Sequence, residues 1–302
     1  MSRATSDGST GETAHEADRP GATLEAGYVE TNGIRTYYER RGNGPPVVFV
    51  HGVVMSTTMW ARQLATLSDE FTTVAYDVRG HGRTGGSPVE PYSIALFAED
   101  LDALLTALDI ERPVLCGLSM GGAVVQTYAA RHPERVAGLV LADTFTPGPL
   151  PLAGRLAFAN IRFLGFLGRY VDYKRLNRLQ MWVGNRLASG WAGDEVTVQT
   201  LVDSDPRLPS HEFSKVTRAT AAFPATDLDC SGITAPVLVL YAAHAPAGAR
   251  EMAVAVADAF PNAPVECVAV PDAGHAVNLD NPSFFDRTVR AFCRRVAGRV
   301  DA

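Results

Sequence analysis

From Gly27 onward the apolar residues fall into two rhythms that take turns along the chain. Tyr28–Thr31 and Ile34–Arg40 alternate or carry β-branched and aromatic residues around Asn32-Gly33, which predicts a β-hairpin. Val47–Val50 is a continuous apolar run ending at His51-Gly52, as expected of a buried central strand. A helical stretch around Met59–Leu67 precedes a strand at Phe71–Tyr76. An amphipathic helix over Ile94–Leu108 follows, with Leu101, Leu104, Leu105 and Leu108 on one face. Pro113–Leu118 predicts a strand, Gly121–Ala130 a helix and Val136–Ala142 another strand. Strand and helix alternating at this spacing imply a mostly parallel sheet with helices on both faces.

The alternation stops near Pro147 and resumes near Ile233. The intervening ~80 residues are too many for a structureless loop in a compact domain, and they read as helices. Afterwards Pro236–Tyr241 and Val265–Val270 predict strands, with helices at Ala249–Phe260 and Phe284–Val296. Residues 1–25 hold no Val, Ile or Phe and predict a disordered polar tail. The expected organisation is therefore tail 1–25, core 26–147, helical insertion 148–225 and core 226–302.

The composition narrows the function classes. The 302 residues carry 27 basic and 33 acidic side chains, a net charge of −6, which argues against nucleic acid as a partner. No apolar run is long enough to span a bilayer. The four cysteines show no metal-like spacing and are too few for a disulfide scaffold. The tail lacks the apolar stretch of a secretory signal, so the expected location is the cytoplasm, with reduced thiols.

The chemistry concentrates at the end of the Pro113–Leu118 strand, in Gly117-Leu118-Ser119-Met120-Gly121-Gly122. A serine flanked by glycines between a predicted strand and a predicted helix is the pattern of a nucleophile elbow. The turn is too tight for side chains at the flanking positions, and it lifts the serine hydroxyl clear of the sheet.

With this elbow, three further motifs in order make residues 26–302 resemble an α/β-hydrolase-fold serine hydrolase with a helical cap between strands six and seven. They are His51-Gly52-Val53, Asp77-Val78-Arg79-Gly80-His81-Gly82, and Gly274-His275 followed by Pro282 and Phe285. The resemblance implies an eight-stranded, mostly parallel sheet. It also implies Ser119 as nucleophile, His275 as base and an oxyanion hole from the backbone N–H groups of Val53 and Met120. The elbow resembles those of enol-lactonases and cofactor-free haloperoxidase-like esterases.

The acid departs from the family pattern. Most relatives carry it after the seventh strand, where this chain reads Tyr241-Ala242-Ala243-His244-Ala245-Pro246, with Ala245 at the expected position. Haloalkane dehalogenases place it after the sixth strand, where Asp143 stands here. Asp143 as the acid, a Ser–His dyad, and Glu251 or Asp272 acting from another direction all remain open.

A serine at 119 excludes the dehalogenase and epoxide hydrolase chemistries of this fold, which use Asp there. Ester, lactone and thioester hydrolysis remain, with carbon–carbon hydrolysis and perhydrolysis. A low-turnover binding protein is a further alternative, favoured by the missing acid at Ala245. No cofactor or metal motif stands out, and the expected partner is a small-molecule substrate.

Several other residues read as structural. Asp77 and Arg79 are expected to pair with each other, Asn281 to cap a helix that starts at Pro282, and Cys116 to be a buried inert thiol. Arg155, Arg162 and Arg169 recur every seven residues among many apolar positions. That spacing predicts a solvated basic face with the apolar residues packed on the core. An apolar lid selecting a hydrophobic substrate is the functional alternative, and the signal for membrane contact is weak.

Overall fold

The strand-forming runs pair into one sheet in the computed structural model, which describes residues 23–176, 178–179, 182, 203, 208–243 and 248–300. In chain order the strands are β1 (Glu25–Thr31), β2 (Ile34–Arg41), β3 (Pro46–Val50), β4 (Thr72–Tyr76), β5 (Val114–Leu118), β6 (Gly138–Ala142), β7 (Val237–Ala242) and β8 (Val265–Val270). Their spatial order is β1-β2-β4-β3-β5-β6-β7-β8. β1–β2 and β2–β4 pair antiparallel, and every other pair is parallel. Asn32 and Gly33 both take positive φ, 34° and 76°, as a two-residue hairpin turn requires.

The α-helices described from end to end are α1 (Ala61–Leu67), α2 (Ile94–Ala107), α3 (Met120–Arg131), α4 (Leu152–Leu167), α5 (Ser210–Ala222), α6 (Ala249–Asp258), α7 (Val277–Asp280) and α8 (Pro282–Val300). The core lies against the central strands, where Val48, Phe49, Val74, Leu115 and Leu139 are fully buried. Asn281 caps α8 as expected, its Oδ1 accepting the Phe284 N–H at 3.2 Å, with Pro282 first in the helix. The expected Met59–Leu67 helix divides into a 3-10 turn at Thr57–Trp60 and α1. Among the described helices, none is long and apolar enough to cross a membrane.

Register decides what the sheet presents at its carboxyl edge. Val50, Gly117, Leu141 and Val239 lie in one row across β3, β5, β6 and β7. The residues just past those strands, His51-Gly52, Ser119 and Asp143, therefore emerge at a common edge, where open α/β sheets bind ligands.

Between β6 and β7 the chain carries α4 and α5. Phe158 of α4 meets Phe145 edge to face at 4.7 Å, and Phe145 meets Phe223 at 5.8 Å. α5 is tied to the core through buried charge. The Glu212 carboxylate accepts from Tyr92 Oη at 2.7 Å and Lys215 Nζ at 3.0 Å, while Lys215 also donates to the Ser87 carbonyl at 2.7 Å.

Two expectations change here. Arg79 does not pair with Asp77. Its guanidinium makes a two-pronged bond to Asp100 of α2, at 2.7 and 2.6 Å. Asp77 instead accepts the backbone N–H groups of Thr57 and Arg83 at 2.7 and 2.6 Å, which leaves its oxygens no need of the arginine. The apolar residues of α4 are also divided. Phe158 is buried and Ile161, Leu164 and Leu167 pack on the core, but Leu152, Leu156, Phe163 and Phe166 face outward. Helical periodicity marks the stripes, and α4 carries two of them.

Candidate active site

The turn from β5 into α3 leaves no room for side chains on either flank. A Cβ on Gly117 would lie 2.3 Å from the Gly121 carbonyl oxygen, and one on Gly121 would lie 2.1 Å from that of Val50. Between them Ser119 takes φ 53° and ψ −116°, a conformation costing a non-glycine residue roughly 1–3 kcal/mol. Surrounding bonds fix it there. The Ser119 N–H donates to Ala142 O at 3.0 Å, and the Ser119 carbonyl accepts the Gly122 N–H at 3.0 Å and Thr144 Oγ1 at 2.6 Å. The tight strand-to-helix turn read from sequence is thus present, with Ser119 at the N-terminus of α3.

His275 lies in the loop between β8 and α7, held from behind by Asp280, whose carboxylate accepts the Gly274 N–H at 2.8 Å. His275 Nδ1 stands 2.5 Å from Asp143 Oδ2. Asp143 is itself clamped: its N–H donates to Leu240 O at 2.7 Å, and its Oδ1 accepts the Ala242 N–H at 3.3 Å. Of the carboxylates weighed from the sequence, Asp143 is the one placed on His275. Glu251 is exposed on α6, and Asp272 is exposed in the turn before the histidine. Ala245 lies outside the described residues.

Desolvation disfavours the charged His275 ring, but the hydrogen bond and charge of Asp143, helped by Asp280, outweigh it and hold the pKa above its ordinary value. Half of the side chain remains open to solvent, so the desolvation is crowding by neighbours rather than enclosure.

The loop after β3 runs beside the serine. A Cβ built on Gly52 would sit 3.6 Å from Ser119 Cβ. The Gly52 carbonyl is pulled away on one side by His51 Nδ1 at 2.8 Å and the Met55 N–H at 3.3 Å. In a planar trans peptide the N–H points opposite to the C=O, so these bonds also aim the Val53 N–H. Val53 is half-buried and Met120 fully buried.

His51 Nε2 accepts the Val78 N–H at 3.0 Å, which fixes the ring as neutral with its proton on Nδ1. Burial pushes its pKa down to about 4, and burial with the nearby His51 pushes His81 down to about 3. Neither ring is suited to exchange protons near neutrality. Cys116 is buried, with its thiol pKa pushed well up by burial, as an inert core residue would be.

Three supporting residues were not singled out by the sequence reading. Thr144 ties the Asp143 turn to the elbow, and Asp280 holds the histidine loop. Gln126 Nε2 donates to Gly122 O at 3.0 Å and Phe145 O at 2.9 Å. Thr144 follows directly on Asp143 and was within reach of the reading. Asp280 acts six residues along the chain and Gln126 bridges from Gly122 to Phe145, and neither contact belongs to a recognisable sequence motif. Among the described residues no cluster of His, Cys, Asp or Glu could hold a metal ion.

Comparison with known proteins agrees with this fold. The chain is 37% identical over 100 residues to 3-oxoadipate enol-lactonase 2 of Acinetobacter baylyi, a match covering 33% of this chain and 37% of that one. The chain spans only about a third of the length of the first curated relatives it matches. Among solved structures, the enol-lactonase of Burkholderia xenovorans LB400 superposes with a TM-score of 0.70 at 26% identity, covering 89% of this chain and all of that one. A thermophilic esterase from Thermogutta terrifontis does so with a TM-score of 0.72 at 27% identity, covering 90% and 99%. The profile of the alpha/beta hydrolase fold matches residues 45–282, most of the chain and all of the site. Sheet order, elbow and profile agree, and the chain belongs to the alpha/beta hydrolase fold family.

Proposed function

We propose that the chain is a serine hydrolase that cleaves a small, hydrophobic carboxylic ester or lactone through an acyl-enzyme intermediate. The observation that carries the proposal is the bond between His275 Nδ1 and Asp143, made from the turn after β6. With Nδ1–H held by the carboxylate, Nε2 carries the free lone pair a base needs. Ser119 Oγ attacks the carbonyl carbon as His275 Nε2 takes its proton. The N–H groups of Val53 and Met120 receive the developing oxyanion. His275 then returns the proton to the leaving oxygen, and water deacylates the serine by the same route in reverse.

A low-turnover binding protein was favoured only by the missing acid after β7, and Asp143 removes that motive. The two residues after Asp143 lead to Phe145, which with Phe158 and Phe223 forms an apolar cluster beside the acid turn. This supports α4 and α5 as a cap selecting hydrocarbon bulk. The enol-lactonase and esterase among the similar structures support ester or lactone cleavage over carbon–carbon hydrolysis.

Fluorophosphonate labelling combined with turnover of p-nitrophenyl esters tests the reading. Labelling at Ser119 with ester turnover is the expected result. Absence of labelling overturns the mechanism, and labelling without ester turnover points to carbon–carbon hydrolysis or a binding role.

A further inference from the structure

The outward stripe of α4 has its own chemistry. Leu152, Leu156, Phe163 and Phe166, with Tyr170 just past the helix, follow one another at spacings of four, seven, three and four residues, each close to a whole number of helical turns. Their exposures run from 53% at Phe166 to 74% at Tyr170. At helical spacing they share an arc of roughly 80°, along a helix about 24 Å long. Arg155 and Arg162, both exposed, line one border of that arc, and Arg169, exposed but bonded through Nε to Ser214 Oγ at 3.4 Å, continues the row. From Leu150 through Val171 the chain has no Asp or Glu, although the whole protein carries a net charge of −6.

The opposite face of α4 is committed to the body of the protein. Phe158 packs on Phe145, Gly165 lies against Thr217, and Gly154 lies near Met252. The stripe cannot turn inward without undoing these contacts. Five large apolar side chains exposed on one arc differ from the singly scattered apolar residues of ordinary surface.

We infer that this face docks on an anionic lipid surface, with the leucines and phenylalanines in the acyl boundary and the arginines at the headgroup phosphates. A helix with an apolar face bordered by arginine fits that interface. Charge complementarity separates this occupant from a second copy of the chain. Pairing two α4 stripes antiparallel about a two-fold axis sets both arginine rows on the same side, and α4 has no carboxylate to neutralise them. Lipid phosphates supply that charge.

The test is co-sedimentation of the full chain with phosphatidylcholine vesicles, with and without phosphatidylglycerol, at low and high salt. The expected result is binding that requires phosphatidylglycerol and falls as salt screens the headgroups. Replacing Arg155 and Arg162 together by Gln is expected to weaken binding roughly 30-fold at low salt. The double change Phe163→Ser with Phe166→Ser is expected to weaken it about tenfold or more. Both pairs are exposed, and an unchanged thermal midpoint would show that the fold survives. No binding to phosphatidylglycerol vesicles, or binding that neither double variant reduces, overturns the inference. So does a dimer lost in the phenylalanine variant without vesicle binding, which would assign the stripe to a second copy.

Discussion

Thr144 Oγ1 donates to the carbonyl oxygen of Ser119 at 2.6 Å, so the turn that carries Asp143 is bonded directly to the elbow that carries the serine. Neighbouring strands β5 and β6 thereby hold Ser119 and Asp143 in one unit. Thr144→Val keeps the side-chain shape and removes the donor. It is expected to cost about 0.5–1.5 kcal/mol of stability, the net worth of one hydrogen bond, since the Ser119 carbonyl keeps the Gly122 N–H, and to lower kcat more than it raises KM. Urea unfolding and ester kinetics check this; a stable variant with native kcat would show that the bond does not position the serine.

Ser119→Ala is expected to remove fluorophosphonate labelling and to cut turnover by roughly 10⁴-fold or more, with the fold intact by circular dichroism. Retention of more than a few per cent of activity would exclude Ser119 as nucleophile.

The Asp143–His275 bond predicts a pH effect with a defined sign. His275 must be neutral to accept the serine proton, and Asp143 raises its pKa above the ordinary value, so activity rises with pH through that raised value. In Asp143→Asn turnover is expected to fall by up to roughly 10⁴-fold, and the residual activity should rise at lower pH than in the native enzyme. A pH–rate profile with an unmoved limb would separate Asp143 from the base.

His51 and His81 predict acid sensitivity of the fold. Their native pKa values of about 4 and about 3 lie below the 6.5 of a free ring. Below pH 6.5 the unfolded chain takes up protons that the native rings refuse. Stability therefore falls as pH drops from that value, through about 4 for His51 and about 3 for His81. Thermal midpoints across this range should fall less steeply in His81→Asn; an unchanged slope would place the proton uptake elsewhere.

If α4 and α5 select hydrocarbon bulk, kcat/KM should climb from acetate to longer acyl esters, by up to roughly fourfold for each well-buried methylene. Phe158→Ala should shift the preference toward longer chains while costing about 3–5 kcal/mol of stability. A flat response from acetate to octanoate would remove the hydrophobic selection.

Much of this architecture was legible in the residues themselves. The central strands are continuous apolar runs, Asn32-Gly33 suits a turn with positive φ, and Gly117 and Gly121 announced the crowding around Ser119. What stayed hidden depends on partners far along the chain. Arg79 reaches Asp100 on α2 rather than its near neighbour Asp77, since only the fold reveals that Asp77 is already satisfied by backbone donors. The outward face of α4 was hidden because its period is the same as that of the inner face. Tail residues 1–22 lie outside the described residues, and β1 begins at Glu25, inside the stretch read as tail.

If Asp143 serves as the acid of the proposed hydrolase, the sequence after β7, where the family pattern places that acid, is released from the duty. On that reading a substitution such as Ala245→Ser should leave ester turnover unchanged. Sensitivity should concentrate instead in the Asp143–Thr144 turn, which is bonded both to His275 and to the Ser119 carbonyl.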